Sequence, residues 1–247
     1  MNFILSLFFL LLGWLAGAVI NHLADVLPAK ERILQRPFYR GSHITKPPKA
    51  WSAITAYLTR SGRCPETGGS IGLRPPVVEM VTAILFVFLF NHFGPSVYLL
   101  FVLGYTAILA LLTVTDLEHR LIQNVVILPA ILLALAGAFF TPQFGWKQAI
   151  LGGAVGFVVF YLLALFARGG LGSGDVTLAA FLGLITAFPQ IVVAAVMGML
   201  FGGIVSALLL LTRRVTLKTF IPYGPFLIVA GWMVLIRGEA IMAYLWG

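Results

Sequence analysis

The sequence predicts an all-α fold, a polytopic membrane bundle of about eight transmembrane helices with one sizeable cytoplasmic loop. Three observations predict it. Of 247 residues, 60% are hydrophobic and only 10% charged, with a mean hydropathy of +1.03, whereas soluble domains carry about 25% charged residues. Apolar runs near the length of roughly 20 residues needed to cross hydrocarbon recur along the chain. The basic residues collect in alternate gaps between those runs. The same composition excludes disordered, collagen-like and coiled-coil chains. A single cysteine, Cys64, excludes a disulfide framework and any zinc site built on paired cysteines.

Taken in order, the apolar stretches run over about 3–23, 77–93, 97–115, 125–140, 148–167, 176–188, 190–211 and 221–236. Inside hydrocarbon each must satisfy its own backbone hydrogen bonds, which makes it a helix. The first lacks a basic start and an Ala-x-Ala exit, so it reads as a retained helix rather than a cleaved signal. The sixth has only 13 residues before Pro189 and is expected to tilt, to extend into the preceding loop, or to insert in part.

Eight crossings put residues 24–76, 116–124, 168–175 and 212–220 on one side. That side holds Lys30, Arg32, Arg36, Arg40, Lys46, Lys49, Arg60, Arg63, Arg74, Arg120, Arg168, Arg213, Arg214 and Lys218, fourteen of the sixteen basic residues. Lys147 and Arg237 lie on the other. Such an excess marks the cytoplasmic side, and both termini then face outward. The organisation expected is a first transmembrane helix at 1–23, a basic cytoplasmic loop at 24–76 and a membrane domain at 77–247. The loop is rich in Pro, Gly, Arg and Lys without a helical or strand period, so irregular structure against the bilayer is expected. Its nine basic residues suit anionic head groups, each attracted by roughly 1 kcal/mol, and not nucleic acid.

Carboxylates at membrane depth are costly and are functional candidates. Asp25, Glu31, Glu66 and Glu239 sit in loops, while Glu79, Asp116, Glu118 and Asp175 stand at the edges of apolar runs. Glu118, beside His119 and Arg120, is most simply a helix end in the head-group layer. Glu79 suits either a site role or a helix-start carboxylate favoured by the dipole. Asp116 closes the third run, and Asp175 follows the glycine-rich turn Gly169-Gly-Leu-Gly-Ser-Gly-Asp175. One outgoing and one returning helix separate the two aspartates, so both reach the same membrane face. Two adjacent carboxylates share a proton. The ionised one activates water against a peptide carbonyl, while the protonated one hydrogen-bonds that carbonyl and then protonates the leaving amine. Gly172 and Gly174 let backbone approach a substrate strand closely.

Other catalytic designs lack their residues. His22, His43, His92 and His119 include no pair at metal-ligand spacing on one helix, and no nucleophile elbow, phosphate-binding loop or dinucleotide fingerprint occurs.

Read together, these segments resemble the type IV prepilin peptidase family of bacterial inner-membrane aspartic proteases. Gly17-Ala-Val-Ile-Asn21-His-Leu-Ala-Asp-Val-Leu-Pro28 resembles its opening, where Asn precedes Arg-Leu-Pro. Arg74-Pro-Pro-Val-Val-Glu79 resembles its Arg-Tyr-Pro-x-x-Glu entry to the second span. Asp116-Leu-Glu-His-Arg-Leu-Ile resembles the first Asp motif, and Gly172-Ser-Gly-Asp175-Val-Thr-Leu the second. Pro222-Tyr-Gly-Pro-Phe226 resembles its Pro-Tyr/Phe-Gly-Pro-Phe segment.

The resemblance implies a multi-pass enzyme of the inner membrane, its active site facing the cytoplasm, that removes the basic leader from prepilins and pseudopilins. It makes Asp116 and Asp175 the catalytic pair and needs no cofactor for proteolysis. Glu79, Glu118, Gly172, Gly174 and Tyr223 are then supporting or substrate-binding residues. Many members also methylate the new N-terminus with S-adenosylmethionine. That second activity stays open here, because the family's two Cys-x-x-Cys pairs are reduced to Cys64, with Glu66-Thr67 where a thiol is expected. Gln123 replaces the usual Pro after the first Asp motif, and Thr177 replaces a frequent Lys. Neither change removes a catalytic carboxylate. The competing readings are a transporter, whose broken helices also carry acids, and a catalytically inactive assembly protein.

Overall fold

The computed structural model describes residues 2–39, 42, 44–166, 172–216, 219 and 221–246. The first part of the glycine-rich turn, 167–171, lies outside the described residues, as do Arg40, His43 and Lys218. Among the described residues the fold is helical. Helix α1 spans Asn2–Val26, α2 Ala53–Leu58, α3 Arg74–Phe93, α4 Val97–His119 and α5 Asn124–Gly137. Helices α6 (Trp146–Phe166), α7 (Ser173–Thr186), α8 (Gln190–Leu211) and α9 (Gly224–Trp246) follow. Six are long and apolar enough to cross a membrane; α5 and α7, at 14 residues each, are shorter. All eight expected segments are helices; seven lie within a few residues of their expected limits, while the last, expected at 221–236, runs on to Trp246. The short sixth one extends backwards into its loop and so takes in Asp175. Outward faces are apolar: Phe3, Ile4, Leu132 and Leu165 are all exposed, as suits side chains solvated by lipid. The chain is a multi-pass helical membrane protein.

Two compact units divide the chain, Met1–Leu111 and Leu112–Gly247, with α4 running through the boundary. In the first unit α1 packs on α3 through Gly13 and Gly17. A Cβ on Gly13 would stand 2.7 Å from the Thr82 carbonyl oxygen, and one on Gly17 2.6 Å from the Glu79 Cα. Two glycines four apart bring the helix backbones together, the usual way to gain packing where lipid removes a hydrophobic drive. Prolines at the start of α3 forfeit only N–H groups that lack partners there.

The 24–76 segment departs from the irregular structure expected of it. A 3-10 turn at Pro48–Ala50 leads into α2, and Ala50, Ala53, Ala56 and Ile71 bury one another in a small core. Two isolated bridges, Phe38 with Thr45 and Arg63 with Ser70, close its turns. Small alanines leave no long apolar period to read, which is why the sequence hid this packing.

The second unit repeats the glycine device. On α6, Gly152, Gly153 and Gly156 face α7; the Gly152 and Gly183 backbones touch, leaving no room for a Cβ on either. Gly231 of α9 takes Leu182 of α7, where a Cβ would meet Leu182 Cδ2 at 2.6 Å. Helix α7 is thus gripped by α6 and α9, and Leu178, Phe181 and Leu182 are fully buried.

Candidate active site

Asp116 lies in the last turn of α4. Its carbonyl accepts the Arg120 N–H at 2.9 Å, and Arg120 adopts the left-handed conformation that ends many helices. The reversal carries Leu121–Gln123 back across the helix end before α5 begins. Asp175 occupies the first turn of α7, where its Oδ2 accepts the Gly172 N–H at 3.2 Å. This carboxylate reaching back to the residue before the helix is one half of a capping box. Asp116 is 6% exposed and Asp175 8%.

Ile122 draws these pieces together. A Cβ on Gly174 would stand 2.7 Å from the Ile122 Cβ, and one on Gly224 3.5 Å from its Cδ1. Gly174 therefore has no side chain because Ile122 fills the space. The two carboxylates lie within electrostatic range of each other, although 59 positions separate them. The Gly224 N–H reaches the Asp116 carboxylate, and Asp116 Oδ2 has no hydrogen-bond partner among the described residues. The Tyr223 phenol feels the Asp175 charge. Its ring lies 6.0 Å from that of Phe160, and its buried hydroxyl has no partner among the described residues. Beside it a cavity of about 160 Å³ is bounded by Met199, Gly202, Ser206, Pro222, Tyr223 and Phe226.

The other candidates are placed differently. Glu118 is exposed, 3.9 Å from His119. Glu79 belongs to the first unit and is completely buried. Its Oε2 accepts from the Ser52 hydroxyl at 2.6 Å, the Ile54 N–H at 3.0 Å and the Trp14 indole N–H at 3.1 Å. Its Oε1 accepts from the Ala53 N–H at 2.6 Å. The helix whose start it caps is α2, not its own, and its oxygens are engaged in holding that helix on α3. Nearby, Arg74 pairs with Asp25 at 2.9 Å, and Asn21 donates to the Pro75 carbonyl at 2.9 Å. Cys64 is buried in the turn closed by its own N–H to the Gly69 carbonyl, and the hydroxyl of Thr67 holds its thiol down at about 7.

Sequence reasoning missed Gly224 and Ile122. Gly224 lay in a quoted motif, but nothing in one dimension says that it meets Asp116, 108 positions earlier. Ile122 looks like any apolar residue after a helix.

Two buried, interacting carboxylates at the ends of separate helices of a multi-helix membrane protein suit an aspartic peptidase. Comparison with known sequences agrees. The Type IV leader peptidase family matches residues 102–207, and the Bacterial Peptidase A24 N-terminal domain matches residues 11–93. The chain is 28% identical over 245 residues to a prepilin leader peptidase/N-methyltransferase of Bacillus subtilis, covering 98% of this chain and 96% of that one. It is 31% identical to the protein of that name from Pseudomonas aeruginosa, over 76% of this chain and 67% of the relative. The Xanthomonas campestris protein is 31% identical over 77% and 69%. No solved structure matches. The chain belongs to the type IV leader peptidase family, and a transporter is not the favoured reading.

Proposed function

We propose that this chain cuts the basic leader from type IV prepilins or pseudopilins at the cytoplasmic face of the bacterial inner membrane, with Asp116 and Asp175 as its catalytic pair. The observation that supports this reading is two carboxylates from separate helices, each more than nine-tenths buried and within electrostatic range of each other. Sharing one proton, the ionised carboxylate takes a proton from water as the water oxygen attacks the scissile carbonyl carbon. The protonated carboxylate hydrogen-bonds the carbonyl oxygen. In the tetrahedral adduct a proton passes to the nitrogen, the C–N bond breaks and the carboxyl group re-forms. No covalent enzyme intermediate is needed.

The bare, exposed backbone at Gly172 is the proposed path of an extended substrate strand beside Asp175, with Tyr223 its proposed contact, whereas the space at Gly174 is taken by Ile122. A prepilin held by its own membrane helix presents the scissile bond in the plane of these helix ends, so anchoring supplies much of the orientation. The catalytic machinery falls within the 77–247 region, and the basic 24–76 loop faces anionic lipid. The test is co-expression with a prepilin carrying Gly at its leader junction. Loss of the leader mass in cells with the parent chain, and not in cells without it, is expected. Intact substrate across several candidate prepilins would overturn the reading.

N-methylation of the new terminus is a second reading, and one feature of the first unit favours it. A small cavity of about 20 Å³ is bounded by Asn21, His22, Asp25, Lys46, Trp51 and Glu79. The Asn21 Oδ1 beside it is buried without a partner among the described residues. The cavity has room for about one water-sized group, so its amide, carboxylate and ammonium would meet only the tip of the amino-acid end of S-adenosylmethionine, which would supply an electrophilic methyl group to the free amine. Asn21 and Lys46 are the residues proposed to hold that end. Binding of S-adenosylhomocysteine to the purified chain, weakened by Asn21→Leu, is expected; undiminished binding would exclude this cavity.

A further inference from the structure

The start of α9 is built around Asp116. Of the first backbone donors of that helix, Pro225 has none, and Phe226 and Leu227 already donate to the Tyr223 carbonyl at 3.1 and 3.3 Å. The Gly224 N–H is the donor left over, and it reaches the Asp116 carboxylate. The approach is close enough that a Cβ on Gly224 would stand 2.5 Å from Oδ2 and 3.2 Å from Cγ of Asp116. On its other side the same Cβ would meet Ile122 Cδ1 at 3.5 Å, an ordinary contact. The conflict is with the carboxylate alone. The backbone of Gly224 does not need a glycine for its dihedral angles, since it is not among the positive-φ residues. What requires glycine here is the space that Asp116 occupies.

We propose that Gly224 is a positioning residue for Asp116: it presents an N–H and no side chain, so that the carboxylate rests against the start of α9 and is held towards Asp175. The proposal rests on the peptidase reading, but its first test does not. Catalysis by a carboxylate pair depends on where each oxygen stands, and misplacement by about 1 Å can cost a hundredfold in rate. Added bulk at Gly224 therefore acts on turnover through Asp116, not on the capture of substrate.

The test is a double-mutant cycle on the purified full chain, read by thermal unfolding and by leader cleavage. Gly224→Ala is expected to lower the unfolding midpoint by roughly 2–10 °C in the parent, as overpacking does. In Asp116→Ala, where the obstructing carboxylate is gone, the same change is expected to shift the midpoint by less than about 2 °C. Should Gly224→Ala fail to accumulate, recovery of folded protein in the double variant reports the same coupling. In the cleavage assay Gly224→Ala is expected to lose about a hundredfold in kcat with KM nearly unchanged. Equal midpoint shifts in both backgrounds would make Gly224 an ordinary structural glycine, and parental kcat in Gly224→Ala would likewise overturn the proposal. If instead Asp116→Ala cleaves at the parental rate, the aspartate reading fails, while the midpoint cycle still decides whether the contact exists.

Discussion

Gly152 of α6 and Gly183 of α7 touch backbone to backbone, with the carbonyl oxygen of each lying where a Cβ on the other would go. This contact sets how closely the helix carrying Asp175 can be held. Substitutions along the seam should rank by what they meet. Gly152→Ala drives a methyl into rigid backbone and should cost roughly 1–3 kcal/mol. Gly153→Ala meets the Leu184 side chain at 2.8 Å, which can rotate, and the Ala180 carbonyl oxygen at an ordinary 3.4 Å, and should cost less. Gly203→Ala, on α8 with nothing within 4 Å, should be neutral. Unfolding midpoints in one detergent measure the order, and an equal loss at Gly152 and Gly203 would contradict it.

Glu79 and α2 give the second expectation. Glu79→Ala leaves the Ser52 hydroxyl and two backbone N–H groups without their acceptor, while the Trp14 indole keeps the Ser52 oxygen at 2.9 Å, at about 2–3 kcal/mol of local stability. That corresponds to a rise of roughly 30- to 140-fold in the open population of the segment. Trypsin cutting after Arg60 and Arg63 should accelerate accordingly, and Glu79→Gln should lie between. Unchanged trypsin kinetics would mean that the carboxylate does not hold α2 down.

Cys64 gives the third, through pH. Thr67, chiefly through its hydroxyl, stabilises the thiolate and lowers the thiol from 9.0 to about 7. For a group lowered on folding, the stabilisation is complete above the unfolded value, shrinks as pH falls towards 7 and is absent below it. The sole cysteine makes the measurement specific: iodoacetamide alkylation of the native chain should have its midpoint near pH 7. Thr67→Val should move that midpoint towards 9. A parental midpoint near 9 would contradict the assignment.

Much of the fold was legible because hydrocarbon permits few options. Long apolar runs must be helices, and the eight expected segments appear where hydropathy puts them. Limits were less legible. Helix α9 starts at Gly224 rather than 221 and continues past a break at Arg237, because an apolar run ends before its hydrogen-bond ladder does. Asp116 and Asp175 stood out because buried acids are rare. The neighbours that hold them did not. Ile122, Gly174 and Gly224 are ordinary residue types whose roles come from one mutual contact across the fold. Glu79 was legible as unusual but not as the cap of α2, since three of its donors lie 25–27 positions away and the fourth, Trp14, 65 away.

The central claim is that Asp116 and Asp175 act as one unit on a peptide bond. Its most direct measurement is leader cleavage by Asp116→Asn, Asp175→Asn and the double variant, each purified and checked for a parental unfolding profile. Each single variant should lose roughly 10²- to 10⁴-fold in kcat, and the double variant should lose little more, because members of a catalytic unit are not additive. Cleavage near the parental rate in either single variant, with the fold intact, would contradict the account.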